Sequence, residues 1–218
     1  MKRWGVWAEE IFADIFSVVA MGPWAVWAVA EAEWSAPDRM AQRKAKYPAP
    51  VVRLALMARA ADALGVDGKS ALRGLPLKAI AAHNPHAEAD MARVDDMVQF
   101  ALGPMRGNLG ALGKLCDFSA AAFGDGGEVQ RWAGALYAQG ATPALDRLHT
   151  ARHLVSGALR MWAQIVEMED APARDAARLA LAAKVRETLP KATRRGPGRR
   201  TCPAASFQSA VRRWASCF

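Results

Sequence analysis

Asp146, His149 and His153 stand at i, i+3 and i+7, a spacing that puts all three on one helical face. The two imidazoles are at the i,i+4 interval that lets one metal ion take both. The residues between them read Thr-Ala-Arg, without the glutamate that acts as general base in a zinc-protease helix, and no third ligand is set beyond Asp146, or His83 and His86 from elsewhere. Solvated or hydrogen-bonded histidines are the expectation, and no metal site is assigned. Cys116-Asp117 offers a thiol that a distant histidine could activate, but nothing marks a site there and a small buried hydrophobe is preferred. Glu88, Asp95 and Asp96 read as an acidic helix face. Gly107, Gly110 and Gly113 have no preceding strand and no closing Gly-Lys-Ser/Thr, which excludes the common nucleotide-binding loops. With no catalytic motif and no cofactor signature, a non-enzymatic protein is expected.

Binding chemistry is better represented. Ala61 to Leu75, ADALGVDGKSALRGL, resembles a helix-turn-helix of the bacterial repressor type, with small Ala61, the turn pair Gly65-Val66, Asp67 as cap and Leu64 and Leu75 as apolar clamps. The resemblance implies that Lys69, Ser70 and Arg73 face a DNA major groove. Gly68, Gly74 and Pro76 depart from the pattern by weakening and shortening the second helix, and an ordinary helix–turn–helix corner in a bundle is preferred. At the other end of the chain, residues 184–218 hold nine basic groups against Glu187 alone, which accounts for the whole net charge of +8 and leaves the other 183 residues neutral. Arg194, Arg195, Arg199, Arg200, Arg212 and Arg213 are therefore candidate contacts to nucleic acid or anionic lipid.

The elements that must position these groups are helices. Abundant Ala, Leu, Met and Arg with few β-branched residues favour an all-α multi-helix bundle. Three cysteines without a CxxC pair suggest neither a disulfide framework nor a thiolate metal site. Residues 1–34 hold five of the eight tryptophans, and no charge falls between Asp14 and Glu31. Apolar positions from Val6 to Ala20 recur at helical spacing opposite Glu9, Glu10 and Asp14, and Gly22-Pro23 breaks the run. Sixteen uncharged residues reach only ~24 Å, short of a bilayer core. The basic start before an apolar run carries a trace of a secretory signal, offset by the three acids. A peripheral or re-entrant contact is expected, made by Trp4, Trp7, Phe12, Phe16, Trp24, Trp27 and Trp34 in the headgroup region.

Three segments follow: the Trp-rich hydrophobic start, 1–34; a helical domain, 35–189; and a basic low-complexity tail, 190–218, expected to be disordered when free, with a short amphipathic end built on Phe207, Val211, Trp214 and Phe218. Together they suggest a helical accessory or inhibitory protein, cytoplasmic and docked on the inner face of a membrane. Its partner would be a protein of a membrane-bound machine, with anionic lipid or nucleic acid on the tail. The alternative is a helix-turn-helix regulator with a phosphate-binding tail.

Overall fold

The computed structural model describes residues 2–102, 118–137, 143 and 150–193, and every regular element among them is helical. The chain divides into two units, one running to Phe118 and one from Ser119.

The first unit is arranged around α5 (Pro50–Ala63), which packs against α2 (Ala8–Met21), α3 (Pro23–Glu33) and α8 (Val94–Leu102), with α6 (Leu77–Ala81) and α7 (Pro85–Met91) beside it. Pro50 occupies the first turn, where its missing N–H has no partner to lose. The helix closes as the sequence predicts, on Gly65 at a φ of 79°. The Gly65 and Val66 amides donate to the Asp62 and Ala61 carbonyls, a Schellman closure. Ten of its fourteen residues are buried, so α5 has almost no solvent face.

α1 (Lys2–Val6) leads into α2, and Gly22 turns the chain between α2 and α3 with a φ of 61° that a side chain would resist. The two helices pack on each other as well as on α5. This takes the buried members of the expected membrane-facing set away from any lipid surface. Trp4, Trp7, Phe12 and Trp27 are at most 7% exposed and belong to the core; Phe16 and Trp24 are half-buried, and Trp34 alone of the seven is exposed. The reason is that α5 supplies an apolar surface that covers both helices, which removes the need for lipid. No helix among the described residues is long and apolar enough to cross a membrane.

Asp14, expected on an outer acidic face, is also buried. Its carboxylate accepts from Arg53 Nε at 2.9 Å and Nη2 at 2.8 Å, while Arg53 Nη1 donates to Glu33 at 2.7 Å. One guanidinium thus joins α2, α3 and α5, and its hydrogen bond to Asp14 holds it above its ordinary pKa. A second arginine closes the other side: Arg43 donates to Asp90 at 2.7 Å and to the His86 carbonyl at 2.9 Å, and lies over the Trp7 ring. After Ser35 the chain makes only the single turn α4 (Pro37–Met40), with Arg43 beyond it and committed to structure.

In the second unit α9 (Glu128–Tyr137) and α10 (Thr150–Val166) run in the same direction, since Glu128 meets His153 and Trp132 meets Gly157. A Cβ on Gly157 would come within 2.8 Å of the Trp132 Cβ and 2.9 Å of the Ala133 nitrogen, so glycine sets the helix separation. α11 (Ala171–Thr193) packs back along α10. Leu181 meets the Met161, Ile165 and Leu136 cluster, and Arg178 covers Trp162. The chain leaves the helix at residues 167–170, where Asp170 accepts the Ala173 amide and starts α11. α11 runs through Pro190, which lies in its last turn. Before α9 the described residues include a 3-10 turn, Ala120–Ala122.

Arg53→Met leaves Asp14 buried beside an uncharged chain and should lower the free energy of unfolding by about 3–5 kcal/mol. Arg59→Met, at the exposed pair with Asp95, should move it little; urea titration of both variants checks the contrast. In the second unit, Gly157→Ala should cost about 1–3 kcal/mol by overpacking. Gly134→Ala, whose Cβ meets nothing within 4 Å, should add up to about 1 kcal/mol, read from thermal melts.

Candidate functional site

Two concave surfaces stand out, one in each unit. The first lies between the end of α3 and the turn that follows α5, with a volume of about 310 Å³. Ala30, Glu31 and Trp34 line it from α3 and its cap, and Ala71, Leu72, Arg73 and Leu75 from the turn. Trp34 is 68% exposed, unusual for a ring of that size beside a packed core. Arg73 Nη1 stands 3.7 Å from Glu31 Oε1, an attraction longer than a hydrogen bond. Arg73 also has a φ of 51°, the one left-handed non-glycine residue among the described residues, directly before Gly74 at 78°.

This turn is where the helix-turn-helix reading fails. Ser70–Leu72 is a 3-10 turn of three residues, too short to lie in a major groove. Asp67 does cap it: its carboxylate accepts the Ser70 amide at 2.9 Å and the Ser70 hydroxyl, and the hydroxyl is the main cause that holds the Asp67 carboxyl below its usual range. Ser70 is thereby occupied. Lys69 is exposed, 3.9 Å from Asp62, and Arg73 turns toward Glu31, so the three proposed readers do not share a helical face. Gly68 is glycine for a packing reason, because a Cβ there would sit 2.4 Å from the Ala58 carbonyl oxygen of α5.

The second surface is a groove of about 450 Å³ between α9 and α10. Ala133, Gly134, Met161, Ile165 and Met168 give it apolar walls, with Tyr137, Arg160, Gln130 and Gln164 at its edges. Tyr137 is 64% exposed. At the opposite end of the same helices, His153 is buried with Nδ1 3.7 Å from Glu128 and its ring edge-on to Phe123. It is a packed residue of the unit. Asp146, His149 and Cys116 lie outside the described residues, as do Arg194, Arg195, Arg199, Arg200, Arg212 and Arg213. Among the described residues, no three His, Cys, Asp or Glu side chains are grouped to hold a metal ion.

Sequence reasoning missed Glu31 as a partner of Arg73, Trp34 as a wall of the same cleft, and Met161 and Met168 in the groove. Met161, Ile165 and Met168 do recur at i, i+4 and i+7, the usual signal of a continuous helical face. Nothing in the residue types announces that Arg73 is left-handed, apart from the glycine that follows it.

No family model, curated protein or solved structure matches the chain.

Left-handed backbone costs a side-chain-bearing residue about 1–2 kcal/mol, and glycine returns about half of that as unfolded-chain entropy. Gly74→Ala, which puts a side chain at a φ of 78° with open space around it, is therefore expected to destabilise the first unit by about 0.5–1 kcal/mol. A fall in melting temperature checks this.

Proposed function

We propose that the protein is a non-enzymatic helical accessory protein, regulatory or inhibitory, that holds a protein partner while its basic tail attaches it to the anionic inner face of a membrane. The observation that carries this reading is the segregation of charge. Residues 184–218 contain the whole net charge of +8, and the described part of the first unit is neutral, with twelve basic and twelve acidic side chains in residues 2–102. Several of those charges are consumed inside the fold, by Arg53 with Asp14 and Glu33 and by Arg43 with Asp90. The folded body has little long-range attraction for a polyanion, and the tail has much.

The burial of Trp4, Trp7, Phe12 and Trp27 shifts the attachment from tryptophan insertion to the arginines. The groove between α9 and α10 supports the partner half of the reading, since its methionines and exposed Tyr137 suit an irregular apolar surface from another protein.

Each basic residue held near an anionic leaflet contributes about 1 kcal/mol. Full-length protein should therefore sediment with vesicles of anionic phospholipid at low salt, and changing Arg194, Arg195, Arg199, Arg200, Arg212 and Arg213 together to glutamine should weaken this by at least about a hundredfold. Full-length protein left in the supernatant would remove the membrane half of the proposal.

A further inference from the structure

We propose that Asp125 is a site of spontaneous covalent modification, where the Asp125-Gly126 peptide rearranges to an isoaspartyl linkage at a rate restrained by Gln130. The sequence holds two Asp-Gly pairs, Asp67-Gly68 and Asp125-Gly126, and the fold directs the reaction to the second. In this rearrangement the backbone nitrogen of the glycine attacks the carbon of the aspartate side-chain carboxyl. The carboxyl hydroxyl leaves with the amide proton as water, and a five-membered imide closes. Water then opens one of the two imide carbonyls. Opening at the backbone carbonyl leaves the chain running through the side-chain carbon, one methylene longer, with nothing oxidised or reduced and the mass restored.

The reaction needs a carboxyl that can lose its hydroxyl, an amide that can give up its proton, and room for the peptide to turn. Glycine in second place favours the turn, because it has no side chain to restrict the backbone. Asp67-Gly68 nevertheless fails on all three counts. The Asp67 carboxylate accepts the Ser70 amide at 2.9 Å and the Ser70 hydroxyl, which keep it ionised and a poor target for a nucleophile. The Gly68 amide donates to Asp62 Oδ1 at 3.1 Å. Gly68 is also buried so closely on the Ala58 carbonyl oxygen that its peptide cannot turn without lifting off α5.

At the second pair the surroundings are reversed. Gly124, Asp125 and Gly126 are all exposed, and Asp125 makes no hydrogen bond or ion pair among the described residues. A Cβ on Gly126 would meet nothing within 4 Å, so the peptide has space on that side. The restraint is the Gly126 amide, which donates to Gln130 Oε1 at 2.6 Å. Gln130 is itself exposed on the first turn of α9, where water competes for the same amide. An added methylene would lengthen the turn that the Gly127 amide closes on the Gly124 carbonyl at 3.1 Å, directly before Glu128 opens α9.

Incubating the full-length protein below its melting temperature, in water carrying the heavy oxygen isotope, tests the proposal, because each imide opening incorporates one heavy oxygen. After digestion by trypsin in ordinary water, the peptides 60–69 and 115–131 separate the two pairs, and their fragmentation places the label. Asp125 should take up label at least about tenfold faster than Asp67, which reacts only after its turn opens locally. In urea, where packing no longer acts, the two sites should label alike. Gln130→Ala should quicken labelling at Asp125 about two- to tenfold by removing one hydrogen bond. Asp125→Glu, which would have to close a six-membered ring, should abolish the label at that position with an unchanged melting temperature. The proposal is overturned if Asp125 takes up no label, if the folded protein labels Asp67 as fast, if the contrast persists in urea, if Asp125→Glu keeps the label, or if Gln130→Ala leaves the rate unchanged.

Discussion

Taking a guanidinium out of water costs several kcal/mol unless its donors find well-aligned acceptors. Arg53 meets that condition with Asp14 and Glu33, and in doing so fixes the angle at which α2 and α3 lie on α5. Apolar packing alone would tolerate some sliding of these helices, since hydrophobic attraction has no direction. A bidentate pair to one helix and a single bond to another does not. The same arginine lies 5.9 Å from the centre of the Tyr47 ring, which extends its hold to the segment before α5. The cleft at the end of α3 inherits this rigidity, because Glu31 and Trp34 sit two positions before and one after Glu33.

How much was legible in the sequence follows from what each signal depends on. Helix content, the Gly22-Pro23 break and the Gly65 closure were readable because they rest on local backbone chemistry. The burial of the tryptophans was not, because an apolar face looks the same whether lipid or protein covers it, and the covering element, α5, is buried nearly all round and so shows little periodicity of its own. Asp14 misled for a related reason: an acid beside Glu9 and Glu10 looks solvated until a cation 39 residues away is known to reach it. At Gly68 and Arg73 the residue types fitted a second helix loosely, but Gly68 is demanded by the approach of Ala58 and Arg73 by no rule of local propensity. Their roles are tertiary.

The two units use small residues differently. In the first, alanines on α5 let the following turn approach closely; in the second, Gly157 lets two helices that advance together come into backbone contact against Trp132. Close approach in α9 and α10 is confined to the part of the pair that contains Trp132 and Gly157. The groove lined by Ala133, Gly134, Met161 and Met168 lies further along both helices. Packing and groove thus share the same two helices without sharing the same residues, apart from the Ala133, Met161 and Ile165 wall.

The order of the helices along the chain has a consequence for synthesis. α2 and α3 are complete at Glu33, but the helix that covers them ends at Ala63, thirty residues later. At about 5–20 residues per second, that leaves the tryptophan-rich pair without its partner for roughly 1.5–6 seconds. During that interval the nascent chain presents an uncharged stretch from Ile15 to Ala30 with nothing folded over it. In the finished fold no residue of that stretch is exposed, so it has one identity while it is being made and another once α5 has closed over it.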